Sequence, residues 1–156
     1  MLRNVFAAVL CALLSTAIAA AELTEAQIQA FIEEIDQASN ANDFNKLASM
    51  ISDDAQTTMH IEVMGQTKSQ TFPSLEYLKN AQLAYEQGMD EHMESQLTRQ
   101  NTQIRIAENV ATVTSDLSVT TTMEDHSMSM STQEEMTIEQ INGQLKITKS
   151  VGYMRM

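Results

Sequence analysis

The chain has 156 residues, enough for one domain and too few for two ordinary ones. Its 21 acidic side chains outnumber 9 basic ones, a formal charge of −12 that argues against nucleic acid and anionic membrane surfaces as partners. With one cysteine there is no internal disulfide framework and no cysteine-built zinc site.

Residues 1–20 read as a cleavable signal peptide. Arg3 is a short basic start, Val5–Leu14 is an uncharged apolar run, and Ala17-Ile18-Ala19 or Ala19-Ala20-Ala21 suits a small-x-small cleavage site. The run is too short to span a bilayer comfortably, so no stable membrane insertion is expected after cleavage. Cys11 lies within the run, without the small residues before it that lipid modification would want. The expected mature domain, residues 21–156, keeps 8 basic and 21 acidic side chains, a charge of −13. An exported location, periplasmic or secreted and bacterial, follows. Without a disulfide staple such a domain must rely on its core, which a chain of about 135 residues is long enough to build.

In chain order, Thr24 and Gln27 form a capping box, and Ile28, Phe31, Ile32 and Ile35 make one helical stripe. Asn40 and Asn42 suit a helix end. Asp43 caps a second, short helix carrying Phe44, Leu47 and Met50. Ser52-Asp53-Asp54 reads as a turn. Met59, Ile61 and Val63 then alternate with His60, Glu62 and Met64 as in a half-buried strand. Gly65 breaks this strand, and a polar partner follows over residues 66–72. Pro73-Ser74 opens a third helix carrying Leu75, Leu78, Leu83 and Tyr85, which Gly88 closes.

Strands follow. One long, bulged element is expected over residues 89–106, and Glu108-Asn109 turns. Ala111, Val113, Leu117, Val119 and Met123 share a face, and Asp125-His126 turns again. Met128, Met130, Met136 and Ile138 share the next face. Asn142-Gly143 is a strong hairpin signal before Leu145, Ile147, Val151 and Tyr153. The order predicts an α+β domain, a curved antiparallel sheet wrapped over N-terminal helices. Phe31, Ile35, Leu47, Val113, Leu117 and Ile147 are expected to be buried together.

The run Asn40-Ala41-Asn42-Asp43-Phe44-Asn45-Lys46-Leu47, then Asp53-Asp54-Ala55, and the hairpin from Ile138 to Ile147 carry a resemblance. Over the mature domain the chain resembles the nuclear transport factor 2-like superfamily, the cone-shaped fold shared with steroid isomerases and polyketide cyclases. Many members place Trp where Leu145 stands. The resemblance implies a pocket between sheet and helices and frequent homodimerisation through the sheet. It implies no single chemistry. With the strand phases above, the pocket lining would include Met59, Ile61, Val63, Tyr77, Met130, Glu134 and Met136.

Two features carry candidate chemistry. Glu134 falls in phase with Met130, Met136 and Ile138, and a carboxylate on an apolar face is a candidate general base. Tyr77 or Tyr85 would be possible donors for an isomerase or hydrolase type of reaction. A bulge at Glu134-Glu135 turning both to water, or pairing with Arg99 or Arg105, would make Glu134 structural instead. Second, 12 methionines are present and each of the 3 histidines has methionine nearby: His60 with Met59 and Met64, His92 with Met89 and Met93, His126 with Met123, Met128 and Met130. Thioether with imidazole selects soft cations, Cu(I) or Ag(I), and Met123, His126, Met128 and Met130 are the candidate ligands. The competing reading is that methionine fills the core of a chain with 4 Phe, 3 Tyr and no Trp. With no HExxH, GxSxG or glycine-built phosphate loop, no further cofactor is expected. A domain binding a small apolar or cationic ligand, or acting as a scaffold, needs none of this machinery and ranks first, leaning away from an enzyme.

Overall fold

The computed structural model describes residues 22–87, 93–123 and 126–155; the expected signal peptide of residues 1–20 and the expected helix end at Gly88 lie outside them. Helix α1 (Glu25–Asn40) starts at the expected capping box. The Thr24 hydroxyl accepts from the Gln27 N–H at 3.3 Å while Gln27 Oε1 accepts from the Thr24 N–H at 2.9 Å. Asn42 takes a left-handed φ of 52°. Asp43 then caps α2 (Phe44–Met50), accepting from the Lys46 N–H at 2.9 Å.

Strand β1 (Ile51–Val63) leaves α2 directly. It pairs antiparallel with β2 (Gln66–Pro73) across Met64-Gly65, both at positive φ. Helix α3 (Ser74–Glu86) carries the chain across to β3 (Met93–Ala107). Then β4 (Val110–Met123), β5 (His126–Ile141) and β6 (Gln144–Arg155) follow as hairpins. Glu108-Asn109 and Asn142-Gly143 sit at positive φ in the tight turns predicted for them.

The sheet order is β2-β1-β6-β5-β4-β3. It is mixed rather than wholly antiparallel, because β1 runs parallel to β6. Hairpin signals govern only neighbours in the chain. The β1–β6 contact joins segments some 90 residues apart, and its direction depends on how α3 returns the chain to the far edge.

Ile28, Phe31, Ile32 and Ile35 of α1 pack with Met50, Ala111, Val113, Met136, Ile138 and Ile147 in one core, and Leu47 borders it. Leu117 is half-buried and lies outside that core, one step beyond the reach of the helices. In α3, Leu75 and Leu78 are half-buried while Leu83 and Tyr85 are exposed. Ser52-Asp53-Asp54 does not turn. It lies within β1, where pairing with β6 is interrupted between Ile51 and Gln56, and the Ser52 hydroxyl donates to Asp54 at 2.8 Å. The turn-forming residues thus occupy an irregular stretch of strand. His126 likewise belongs to β5, paired with Met123, rather than to the turn before it.

Two further irregularities decide which side chains face the helices. In β3 the register slips between Gln100 and Gln103, with Asn101 at φ 53° and its amide donating to Asp116 at 2.7 Å. In β6 it slips beside Thr148, whose hydroxyl donates to Glu139 at 2.7 Å. Each extra residue reverses the alternation along its strand. Ile104 and Ile106 therefore share the helix-facing side with Arg99 and Leu97. On β6, Ile147 shares it with Gly152 and Met154, while Val151 and Tyr153 turn to the opposite side.

Candidate functional site

Register locates each predicted pocket residue. Met59, Gly152, Glu134 and Ser115 form one row across β1, β6, β5 and β4; Ile61, Met154, Thr132 and Leu117 form the next. Met59, Ile61, Val63, Met130, Glu134 and Met136 thus share the helix-facing side of the sheet. Their surroundings differ. Met136 is core, while Met59 lies over Gly152, where an added Cβ would meet its sulfur at 2.6 Å. Val63 and Met130 are exposed. Tyr77, on α3, is also exposed and stacks on Phe72 of the edge strand, ring centroids 4.8 Å apart. Tyr85 packs on Phe44 at 5.8 Å.

Glu134 is tied into an ionic cluster. Arg99 Nη1 donates to Glu134 Oε2 at 2.9 Å and to the Ser115 hydroxyl at 2.6 Å. Its Nε donates to both Asp36 oxygens at 3.0 and 3.1 Å, and Nη2 lies 3.0 Å from Asp36 Oδ1. The Ser150 hydroxyl donates to the other Glu134 oxygen at 3.4 Å. The Arg99 side chain is only 6% exposed. Burial by itself pulls its pKa down, but its hydrogen bonds to Asp36 and the charge of Glu134 outweigh burial and hold it above its ordinary value. With both oxygens engaged, Glu134 ties β5 to β3 and, through Arg99, to α1. Arg105 takes no part in this cluster.

The sheet's other side bears a trough of about 870 Å³. One row of its wall is His60, Tyr153, Gln133, Asp116 and Gln100, aligned across five strands from β1 to β3. At about 4.8 Å per strand this row is roughly 19 Å long. Thr98, Ser118, Ser131 and Glu62 flank it on the neighbouring row. Leu117, Thr132 and Met154 lie between the rows, so by strand alternation their backbone floors the trough. The His60 and Tyr153 rings stack at 4.8 Å with a 17° tilt. His60 Nδ1 is 2.7 Å from the Ser69 hydroxyl, which fixes the ring. Asp116, Gln133 and Gln100 were not singled out from the sequence, because they fall at polar positions of strands, and Tyr153 was grouped with Leu145, Ile147 and Val151 of the last strand. The available signal was the polar alternation itself, Asp116 with Ser118 and Ser131 with Gln133.

The candidate soft-metal residues separate into two places. Met59 and His60 point to opposite sides of β1, and Met64 is 97% exposed in its turn. His92 and Met89 lie outside the described residues. Met123 and His126 are cross-strand partners at the far end of β4 and β5, and Met128 and Met130 follow on β5. Among the described residues, no group of three or more His, Cys, Asp and Glu gathers to hold a metal ion, and no helix is long and apolar enough to cross a membrane.

No family model matches the chain, and no curated protein does. Solved structures do match in shape. A nuclear transport factor 2-like protein from Cytophaga hutchinsonii is 14% identical with a TM-score of 0.60, over 85% of this chain and 99% of that one. The β subunit of a benzoate 1,2-dioxygenase from Burkholderia mallei is 13% identical with a TM-score of 0.68, over 85% and 91%. A nuclear transport factor 2-like protein of unknown function from Pseudomonas putida is 14% identical with a TM-score of 0.63, over 83% and 84%. Identities this low speak to fold and not to activity. Helices leading into a curved, unclosed six-stranded sheet, with these neighbours, establish that the chain has the nuclear transport factor 2-like fold.

Proposed function

We propose that this is an exported small-ligand-binding domain whose trough takes an elongated organic cation of the amine class. The observation carrying the reading is one wall of the trough, where the stacked His60–Tyr153 pair and the carboxylate of Asp116 stand in a single row. An ammonium group gains from an aromatic face, by about 0.5–1 kcal/mol at an exposed site, and from a carboxylate nearby. Across three strand spacings, roughly 14 Å, the row presents these two kinds of cation acceptor at opposite ends. The hydroxyls and amides between them suit a hydrogen-bonding ligand better than an apolar one. Formal charge of −12 raises the local concentration of cations around the whole surface. Export is supported by the basic, apolar and small-residue sequence of residues 1–20.

The test compares a linear diamine about 14 Å long with an uncharged diol of the same length, by calorimetry and by NMR of the labelled protein. The diamine should bind in a salt-sensitive manner and shift the resonances of His60, Tyr153 and Asp116. Tyr153→Ala and Asp116→Asn should each weaken it about three- to tenfold, consistent with contacts of this size. Equal binding of the diol, or shifts confined to the helix-facing side, would remove the proposal.

A further inference from the structure

The sheet ends in two edge strands that differ in how they meet their surroundings. Along β3 the Asn40 side chain bonds the backbone of Leu97, and the bulge at Asn101 bends the strand. Strand β2 runs straight, paired with β1 without interruption from Gln66 to Pro73, and residues 66–71 are exposed. A straight exposed edge is a template for a further strand.

The turn decides which backbone groups this edge offers. Met64 and Gly65, at φ 52° and 77°, form a two-residue loop closed by the pair Val63–Gln66. In such a loop the closing pair exchanges both of its N–H···O bonds, and bonded pairs then alternate along the ladder. Gln66, Lys68, Gln70 and Phe72 therefore bond to β1, whereas Thr67, Ser69 and Thr71 aim their N–H and C=O groups away from it. Among the described residues, no turn, loop or cap hydrogen bond reaches those outward groups. Pro73, next in the outward series, has no N–H to offer, which suits the end of an edge strand.

The side chains add a second feature. Lys68 pairs with Ile61 and Phe72 with Thr57, so both lie on the helix-facing side. Phe72 stacks with Tyr77 of α3, ring centroids 4.8 Å apart, and Tyr77 is 57% exposed. Lys68 is the one charge between Glu62 and Glu76, in a chain of formal charge −12. This edge thus carries a cation, an exposed aromatic pair and no acid, and is complementary to itself.

We propose that two copies of this chain join by antiparallel pairing of β2 with β2, Ser69 of each opposite Thr71 of the other. That register brings the outward-facing residues together in bonded pairs. It also sets Lys68 directly opposite Phe72 of the other copy, in a pair without backbone bonds, where side chains approach closest. Each ammonium then reaches the aromatic pair of the other copy. The neighbouring registers do worse: Ser69 opposite itself gives Lys68 only Gln70, and Ser69 opposite Thr67 sets the two Lys68 side chains against each other. The contact is isologous and uses the edge of the sheet, leaving the trough on its face open, so it is independent of the amine reading.

Sedimentation equilibrium of the unaltered protein from about 10 μM to about 1 mM should show reversible dimerisation, weak because one strand pair buries little surface. Amide hydrogen exchange reads the register. Thr67, Ser69 and Thr71 should exchange fast in the monomer and slow down as concentration rises, while Lys68 and Gln70 stay protected throughout. Lys68→Glu, at an exposed position, should weaken the dimer about tenfold through loss of two cation–aromatic contacts. Lys149→Glu, the same change of charge at an exposed position on the interior strand β6, should associate as the unaltered protein does. A monomer across the whole range overturns the proposal. So does a dimer in which exchange at Thr67, Ser69 and Thr71 is independent of concentration. A Lys68→Glu variant that associates as tightly as the unaltered protein, or a Lys149→Glu variant that weakens as much, overturns it equally.

Discussion

Arg99 stands where α1, β3, β4 and β5 meet, and its guanidinium is shared between two carboxylates and a serine. Burying a charge is tolerable only when its partners are close and well aimed, and here Asp36 is engaged by both of its oxygens. Removing the cation while leaving the anions is the damaging change. Arg99→Met should therefore cost about 3–5 kcal/mol in denaturant unfolding, and Arg99→Met/Glu134→Gln should recover part of that loss. A loss under about 1 kcal/mol would show that the cluster behaves as an exposed ion pair. A smaller accommodation lies alongside, where Gly152 leaves room for the Met59 thioether to cross the sheet surface. Phase identified Glu134 as a polar residue facing inward, and chain order allowed Arg99 as its partner. Asp36 was invisible as the third member, because it sits on α1 in a helix otherwise lined by exposed acids.

Among the elements, β3 is an edge strand of 15 residues, and such an edge invites pairing with another chain. Asn40, the last residue of α1, covers part of it. Its amide donates to the Leu97 carbonyl at 3.1 Å and its oxygen accepts from the Leu97 N–H at 2.7 Å, as a neighbouring strand would. The bulge at Asn101 twists the same edge further. Asn40→Ala should leave the helix and core in place yet promote concentration-dependent self-association, measurable by analytical ultracentrifugation. A variant that stays as monodisperse as the unaltered protein would assign protection of the edge to the bulge alone. Sequence reading took Asn40 as a helix end, which it is. Its second task needs β3 alongside, 57 residues further along the chain.

For the whole molecule, charge is the dominant global quantity. The chain's formal charge of −12 opposes the compact state through self-repulsion. Raising ionic strength from about 10 to about 150 mM shortens the Debye length from roughly 30 to 8 Å and should raise the thermal unfolding midpoint. A midpoint that falls instead would mean that the Arg99 cluster and the exposed Lys46–Glu34 pair, at 2.9 Å, outweigh the repulsion. The same field underlies the amine reading of the trough, whose binding is expected to weaken over the same range of salt.

The sequence by itself determined several of the element ends and the class of the fold. Thr24 with Gln27, Asp43 and Asn142-Gly143 act through atoms within a few residues of one another, so their signals are local and legible. Strand alternation between irregularities was legible for the same reason, placing Val113, Met136 and Ile138 in the core. Only the tertiary structure decided the β1–β6 pairing, its parallel direction, and the slips at Asn101 and Thr148. Those slips reverse the facing of everything beyond them, bringing Arg99 beneath α1 and Tyr153 alongside His60. A bulge is a contest between two registers on neighbouring strands, and the winner depends on packing that no single segment of chain contains.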